Sequence, residues 1–127
     1  MTRFAQNTVI LIVEDEALIG LDLTMTVEEA GATVIGPITT VAAALSVVDT
    51  SRLSAAILDV RLGVKEVGPV ASALAANGVP FVFHTGYGNS TELASWRDRP
   101  IVQKPAPPEM VLAALHEVLR ACLHWRA

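Results

Sequence analysis

The chain has 127 residues, of which 52% are hydrophobic and 17% charged, with a net charge of −4. This composition excludes a disordered tail and suits a single domain, 1–127, with one core. No basic stripe favours nucleic acid, and no apolar run reaches the roughly 18 residues of a membrane span. The N-terminus lacks the apolar core of a secretion signal, so we expect a cytoplasmic protein. The single cysteine, Cys122, excludes an internal disulfide.

The first half of the chain alternates short β-rich runs with helical ones. The expected elements are a strand at 8–13, a helix at 17–30, a strand at 33–35, a helix from about 40 to 48 and a strand at 53–58. Gly36 and Pro37 are predicted to close the second strand. In the first helix, apolar residues at near-helical spacing predict an apolar stripe of Leu18, Leu21, Met25, Val27 and Ala30.

The second half continues the same alternation. After a loop at 61–66, the expected elements are a helix at 70–76, a fourth strand ending at 85, a weak helix at 89–96, a strand at 100–103 and a last helix from Pro107. The apolar stripe of the last helix is predicted to be Val111, Leu112, Leu115, Val118, Leu119 and Cys122. His116, on the same helix, is predicted to be solvated.

Five strands that are apolar along most of their length imply a sheet covered on both faces, and hence a parallel sheet. Right-handed crossovers then build a doubly wound, three-layer α/β/α sandwich. No repeat, linker or low-complexity segment interrupts this pattern.

Side chains capable of chemistry stand where four of the predicted strands end. They are Glu14 and Asp15 after the first strand, Asp59 after the third, Thr85 at the end of the fourth and Lys104 after the fifth. In a parallel sheet these ends share one edge, where open α/β folds place their ligands. Taken singly, these residues are better explained as a helix cap, a turn residue or a solvated charge than as a site. Their joint occurrence at the strand ends indicates a site.

The chemistry of this set favours a metal-assisted phosphoryl site. Three carboxylates in one crevice repel one another unless a cation is present, and oxygen-only ligands suit Mg²⁺. A lysine beside such a metal clamps a phosphoryl group. Asp59 is then the candidate nucleophile, because a carboxylate can form an acyl phosphate.

The chain resembles the receiver domain of two-component response regulators over residues 8–122. The motifs that carry the resemblance are "VILIVEDE", "AAILDVRLG", "FVFHTGYG" and "IVQKP". The resemblance implies a flavodoxin-like strand order of 2-1-3-4-5 and a phosphoacceptor signalling domain rather than an enzyme. The short tail implies a stand-alone regulator without an output domain, although a fragment of a longer regulator remains an alternative.

By the same resemblance, Asp59 accepts a phosphoryl group from a histidine kinase. Mg²⁺ is bound by Asp15, by Glu14 through water, by Asp59 and by the backbone carbonyl of Arg61. Thr85 and Lys104 contact the phosphoryl oxygens, and Gly86 leaves room for them. The Lys104–Pro105 bond is often cis in this family.

The stretch "PFVFHTGYG" is similar to a subfamily marked Pro-Phe-x-Phe-Ala-Thr-Gly-Tyr-Gly, sometimes called FATGUY receivers. Such regulators often pair with kinases of the HWE group and act on a downstream protein or pass phosphate onward. His84 departs from the motif, where alanine is usual, and strand alternation predicts that it packs away from Thr85. Ile101 stands where many receivers carry a switching aromatic, which leaves Tyr87 as the nearest ring able to respond.

Two other functions remain open from the sequence. One is a phosphate-independent adaptor with the receiver fold. The other is an aspartyl-phosphate hydrolase, which wants a second aspartate two residues after its nucleophile, where this chain has Arg61.

Overall fold

The computed structural model describes residues 3–63, 65–86, 91–96 and 98–126, and at 91–92 and 122–126 it describes the backbone alone. The described residues form seven strands and five helices. The strands are β1 (Val9–Val13), β2 (Thr33–Ile38), β3 (Ala55–Leu58), β4 (Arg61–Leu62), β5 (Lys65–Glu66), β6 (Phe81–Thr85) and β7 (Ile101–Gln103). The helices are α1 (Ala17–Glu29), α2 (Val41–Thr50), α3 (Gly68–Ala76), α4 (Thr91–Ala94) and α5 (Pro108–Arg126).

The main sheet has five parallel strands in the order β2-β1-β3-β6-β7. Counted along this sheet alone, that is the order 2-1-3-4-5, so the predicted flavodoxin-like α/β/α fold is confirmed. The strands are apolar along their length because helices cover both faces.

Alternate residues of each strand enter two separate cores. Ile12, Ile57 and Val82 pack with α1 and α5 on one face. Phe81 and Phe83 pack on the other face with α2 and α3, and their rings meet edge to face with centroids 5.5 Å apart. In β6 the even-numbered residues therefore face α1 and α5. This alternation decides which side of the sheet receives His84.

The predicted stripe of α1 is wrong for three of its five residues. Leu18, Leu21 and Met25 are 81%, 54% and 51% exposed, whereas Val27 and Ala30 are buried as expected. The buried face is instead Gly20, Leu23, Val27 and Ala30, which has the same helical spacing. Gly20 selects this face, because a Cβ there would lie 2.7 Å from Cγ of Pro37 and only glycine lets α1 approach β2 so closely.

Two further expectations are corrected by the backbone. β2 does not close at Gly36 but continues to Ile38. Its pairing with β1 shifts register between the pairs Leu11↔Ile35 and Val13↔Ile38, and the Gly36–Pro37 bond in this stretch is cis. Proline is tolerated there because β2 is an edge strand.

The predicted loop at 61–66 is a small antiparallel hairpin, β4–β5. Arg61 lies opposite Glu66, an oppositely charged cross-strand pair, and Gly63 provides a positive φ of 65° at the turn. Buried Leu62 anchors the hairpin to the core. The sequence pattern did not predict this hairpin, because each of its strands has only two residues.

The last helix follows its predicted stripe. Val111, Leu112, Leu115 and Val118 are buried and Leu119 packs beside them, while the side chain of Cys122 lies outside the described residues. His116 is half-buried rather than solvated, because its ring stacks on Phe4 with centroids 4.3 Å apart.

Among the described residues, no helix is long and apolar enough to cross a membrane.

Candidate functional site

The carboxyl edge of the main sheet brings four strand ends together. The backbone holds the acidic residues in place: the N–H of Glu14 donates to Ile38 O at 2.9 Å, and the N–H of Asp59 donates to Val13 O at 3.0 Å. On the other side, the N–H of Lys104 donates to Thr85 O at 2.9 Å. The parallel register therefore sets the positions of these residues before their side chains interact.

Lys104 connects the acidic side chains. Its Nζ lies 3.0 Å from Oε1 and 3.1 Å from Oε2 of Glu14, and 3.1 Å from Oδ2 of Asp59. It also lies 3.4 Å from Oε1 of Glu16. Sequence reasoning assigned no role to Glu16, which belongs to the acidic run after β1 but is exposed at the start of α1. The ammonium therefore balances two buried carboxylates and touches a third at the rim.

Burial makes the charged forms of the side chains in this cluster less stable. Glu14 and Asp59 are 2% and 3% exposed. Burial, and then the charge of Asp59, raise the pKa of Glu14 from 4.5 to about 7, although the hydrogen bond from Lys104 opposes the rise. Burial alone would lower the pKa of Lys104, but its hydrogen bonds to Glu14 and Asp59 outweigh burial and raise it. Without a metal, the crevice holds more negative charge than one lysine neutralises.

The raised pKa of Glu14 predicts an unusual pH dependence of stability. The folded state binds the proton of Glu14 more tightly than the unfolded chain does, so this contribution is full below about pH 4.5 and is lost as pH rises through about 7. We expect the metal-free protein to lose about 1–3 kcal/mol of unfolding free energy across this window. Urea unfolding in a chelating buffer would measure it. Glu14→Gln should flatten the dependence, and stability that rises with pH in the wild type over the same window would contradict the assignment.

The same edge offers oxygen ligands for a cation. One carboxylate oxygen each from Glu14, Asp15 and Asp59 lies within 4.8 Å of the others. Oδ1 of Asp59 is buried and has no hydrogen-bond partner among the described residues. Oδ2 of the exposed Asp15 accepts from the N–H of Gly63 at 2.8 Å, so the β4–β5 hairpin orients this carboxylate. A hard cation fits this donor set, because all its ligands are oxygens and one is unsatisfied.

The other residues that the sequence predicted for the site differ in their burial and position. Thr85 ends β6 and is fully buried, and Gly86 follows it at the surface, where an added Cβ would meet no described atom within 4 Å. Arg61 begins the β4–β5 hairpin, two residues beyond Asp59. Ile101 opens β7 and is 41% exposed. Tyr87 lies outside the described residues. The Lys104–Pro105 bond is cis, as the resemblance implied.

His84 packs on the face of the sheet opposite to Phe83, as strand alternation predicted. It is 4% exposed, and neither ring nitrogen has a hydrogen-bond partner among the described residues. Burial, and then the charge of Lys104, lower its pKa, so the ring is held neutral. In the sequence, His84 stood out only because alanine is usual at this position of the Pro-Phe-x-Phe-Ala-Thr-Gly-Tyr-Gly motif.

The chain is similar to several solved structures. It is 45% identical to SdrG from Sphingomonas melonis Fr1, with 88% of this chain and 98% of SdrG covered and a TM-score of 0.75. A response regulator receiver protein from Sinorhizobium medicae WSM419 is 24% identical over 91% of this chain and 97% of its own, with a TM-score of 0.81. A CheY-like receiver domain protein from Methanospirillum hungatei JF-1 is 22% identical over 94% and 98%, with a TM-score of 0.83. No protein-family model and no curated protein matches the chain.

Proposed function

This chain belongs to the same family as SdrG and has the fold of response regulator receivers, and from these premises we propose that it is a phosphoacceptor whose receiving residue is Asp59. The phosphoryl donor is the phosphohistidine of a sensor kinase. The acceptor works with Mg²⁺ and signals by contact with other proteins or passes phosphate onward.

The observation that carries this proposal is the state of the Asp59 carboxylate. One oxygen, Oδ2, contacts Lys104 at 3.1 Å, and the other, Oδ1, is buried without a partner among the described residues. A carboxylate held by one charged contact, with its second oxygen uncommitted, can act as a nucleophile. Glu14 and Asp15 beside it add the charge that a metal would balance.

The transfer is a substitution at phosphorus. An oxygen of Asp59 attacks the phosphorus and a P–O bond forms. The P–N bond to the donor imidazole breaks, and the imidazole, which already carries a proton on its other nitrogen, leaves with the bonding pair as a neutral ring. Glu14, Asp15, Asp59 and the carbonyl of Arg61 would hold Mg²⁺, which when bound neutralises charge on the phosphoryl oxygens. Lys104 is close enough to Asp59 to pair with one of those oxygens, and Thr85 would donate its hydroxyl to another.

The subfamily and the kinase partner that we propose rest on the motif "PFVFHTGYG". We propose a FATGUY-type receiver that serves a kinase of the HWE group, in the cytoplasm. Because Ile101 has neither a ring nor a hydroxyl, the change that reports phosphorylation would run through Thr85 and the segment after it, with Tyr87 as the responding aromatic. Backbone exchange measurements over 86–96, with and without a phosphoryl mimic, test this part of the proposal.

Labelling with acetyl phosphate tests the central assignment. We expect one phosphoryl group per chain in the presence of Mg²⁺, removed by alkali and by hydroxylamine as an acyl phosphate is, and no labelling in excess chelator, as read by intact-protein mass spectrometry. Repeated turnover of small phosphate esters without stoichiometric labelling would instead identify a hydrolase. A folded protein that stays unlabelled with both acetyl phosphate and phosphorylated kinases would identify a phosphate-independent adaptor.

A further inference from the structure

Glu16 belongs to the charged cluster around Lys104, yet the proposed function gives it no role. Its Oε1 lies 3.4 Å from Nζ of Lys104, and its side chain is 60% exposed. The other two carboxylates that Lys104 contacts, those of Glu14 and Asp59, are buried. Lys104 therefore has two buried partners and a third that is open to water.

The carboxylate of Glu16 does not support the start of α1. Glu16 is the N-cap residue of that helix, but its side chain makes no capping hydrogen bond, and glutamate is not among the residues preferred at this position. Its backbone does the structural work. The N–H of Glu16 donates to Oε2 of Glu14 at 3.2 Å, and its carbonyl accepts from the N–H of Gly20 at 2.9 Å. A change of the side chain therefore leaves these bonds in place.

The ammonium of Lys104 has no donor to spare. It carries three N–H groups. The carboxylate oxygens around it are Oε1 and Oε2 of Glu14 at 3.0 and 3.1 Å, Oδ2 of Asp59 at 3.1 Å and Oε1 of Glu16 at 3.4 Å. A phosphoryl oxygen that pairs with Lys104 must displace one of them. Loss of a buried contact leaves a buried charge without its partner, whereas water readily replaces Lys104 at the exposed Glu16.

We propose that Glu16 is a positioning residue that holds Lys104 away from the incoming phosphoryl group and so slows phosphorylation of Asp59. This inference rests on the proposed function. The Glu16–Lys104 contact is broken in the transition state of transfer and in the product, because Lys104 pairs with a phosphoryl oxygen in both. The carboxylate of Glu16 also repels the negative charge that arrives. Glu16 therefore lowers the rate at which the acyl phosphate forms.

The lifetime of the acyl phosphate should not depend on Glu16. In hydrolysis, water attacks the phosphorus, the P–O bond to Asp59 breaks, and inorganic phosphate leaves the free carboxylate behind. The Glu16–Lys104 contact is already broken before this step and is still broken in its transition state. Removal of the Glu16 charge therefore changes the free energy of both states equally. A residue that only supported the fold would produce no such difference between formation and loss of the label.

Labelling kinetics of the full chain with acetyl phosphate and Mg²⁺ test the proposal. We expect Glu16→Gln to be labelled about twofold to fivefold faster than wild type, the range for an exposed ion pair, and to lose the label at the wild-type rate. High salt, which screens exposed charges, should reduce the difference in labelling rate. Asp22→Asn is the matched control, because Asp22 is an exposed carboxylate of α1 that makes no contact with Lys104 in the described part of the chain. It should change neither rate.

Three results would overturn the role of Glu16. They are equal labelling rates in Glu16→Gln and wild type, an equal acceleration in Asp22→Asn, and a change in the rate of loss as large as that in labelling. A wild type that accepts no phosphoryl group overturns the proposed function instead.

The contact itself is tested without phosphorylation, by ¹⁵N NMR of the lysine ammonium groups in the metal-free protein. The chain has two lysines, Lys65 and Lys104, so the resonances are readily assigned. Glu16→Gln should shift the Lys104 resonance and Asp22→Asn should not. A Lys104 resonance that is the same in Glu16→Gln and wild type would show that the two side chains do not pair.

Discussion

Asp59→Asn is expected to abolish phosphoryl transfer from a phosphorylated histidine kinase, with no residual label. The amide keeps the size of the side chain but removes the nucleophilic carboxylate. Folding should not suffer, because the change also removes a buried negative charge that raises the pKa of Glu14. The loss therefore reports chemistry rather than unfolding, as circular dichroism of the variant would verify.

Asp49→Asn is the matched control for this experiment. Asp49 is an exposed carboxylate on α2, and it lies in the cavity at the opposite edge of the sheet from Asp59. It should accept no label and its replacement should leave transfer at the wild-type level. Label that persists in Asp59→Asn would contradict the assignment of the acceptor.

Lys104→Met is expected to destabilise the metal-free protein by about 2–4 kcal/mol near neutral pH. Methionine keeps an unbranched chain of similar length but leaves Glu14 and Asp59, which are 2% and 3% exposed, without the ammonium that contacts both. The loss should shrink at about pH 5, where Glu14, whose pKa is about 7, is protonated. Urea unfolding at the two pH values measures the difference.

Magnesium should restore part of the stability lost in Lys104→Met, because a cation among Glu14, Asp15 and Asp59 replaces the missing positive charge. The control is Lys65→Met, in the exposed β5 strand, which should change stability by less than about 0.5 kcal/mol. Equal stability of Lys104→Met and wild type in chelator would contradict the view that Lys104 neutralises buried charge.

Lys104 lies between the buried carboxylates and the surface beside α1. It contacts Asp59 and Glu14 on one side and, with Glu16, lines a cavity of about 550 Å³ on the other. A single ammonium cannot contact three carboxylates and a phosphoryl group equally well. If Asp59 accepts a phosphoryl group as proposed, redistribution of the Lys104 contacts would be a physical means by which a chain with Ile101 in place of an aromatic changes its surface near Glu16.

The sequence by itself determined the class of fold and which residues lie at the carboxyl edge of the sheet. Continuous apolar strands with helical runs between them require a covered parallel sheet, and a parallel sheet collects Glu14, Asp15, Asp59 and Lys104 at one edge. These inferences succeed because they depend on periodicity and on strand ends, which are local properties. Recognition of the motifs added the strand order, which local patterns alone do not contain.

Only the tertiary structure decided which face of α1 is buried, because two stripes of equal spacing compete and the close approach of Gly20 to Pro37 selects one. It also decided that Glu16 reaches Lys104 and that the hairpin turn at Gly63 holds Asp15. Whether His84 finds a partner likewise depends on which side chains α1 and α5 bring to its face of the sheet. Such contacts join residues distant in the chain, and their energies depend on burial and on neighbouring charges that no local pattern encodes.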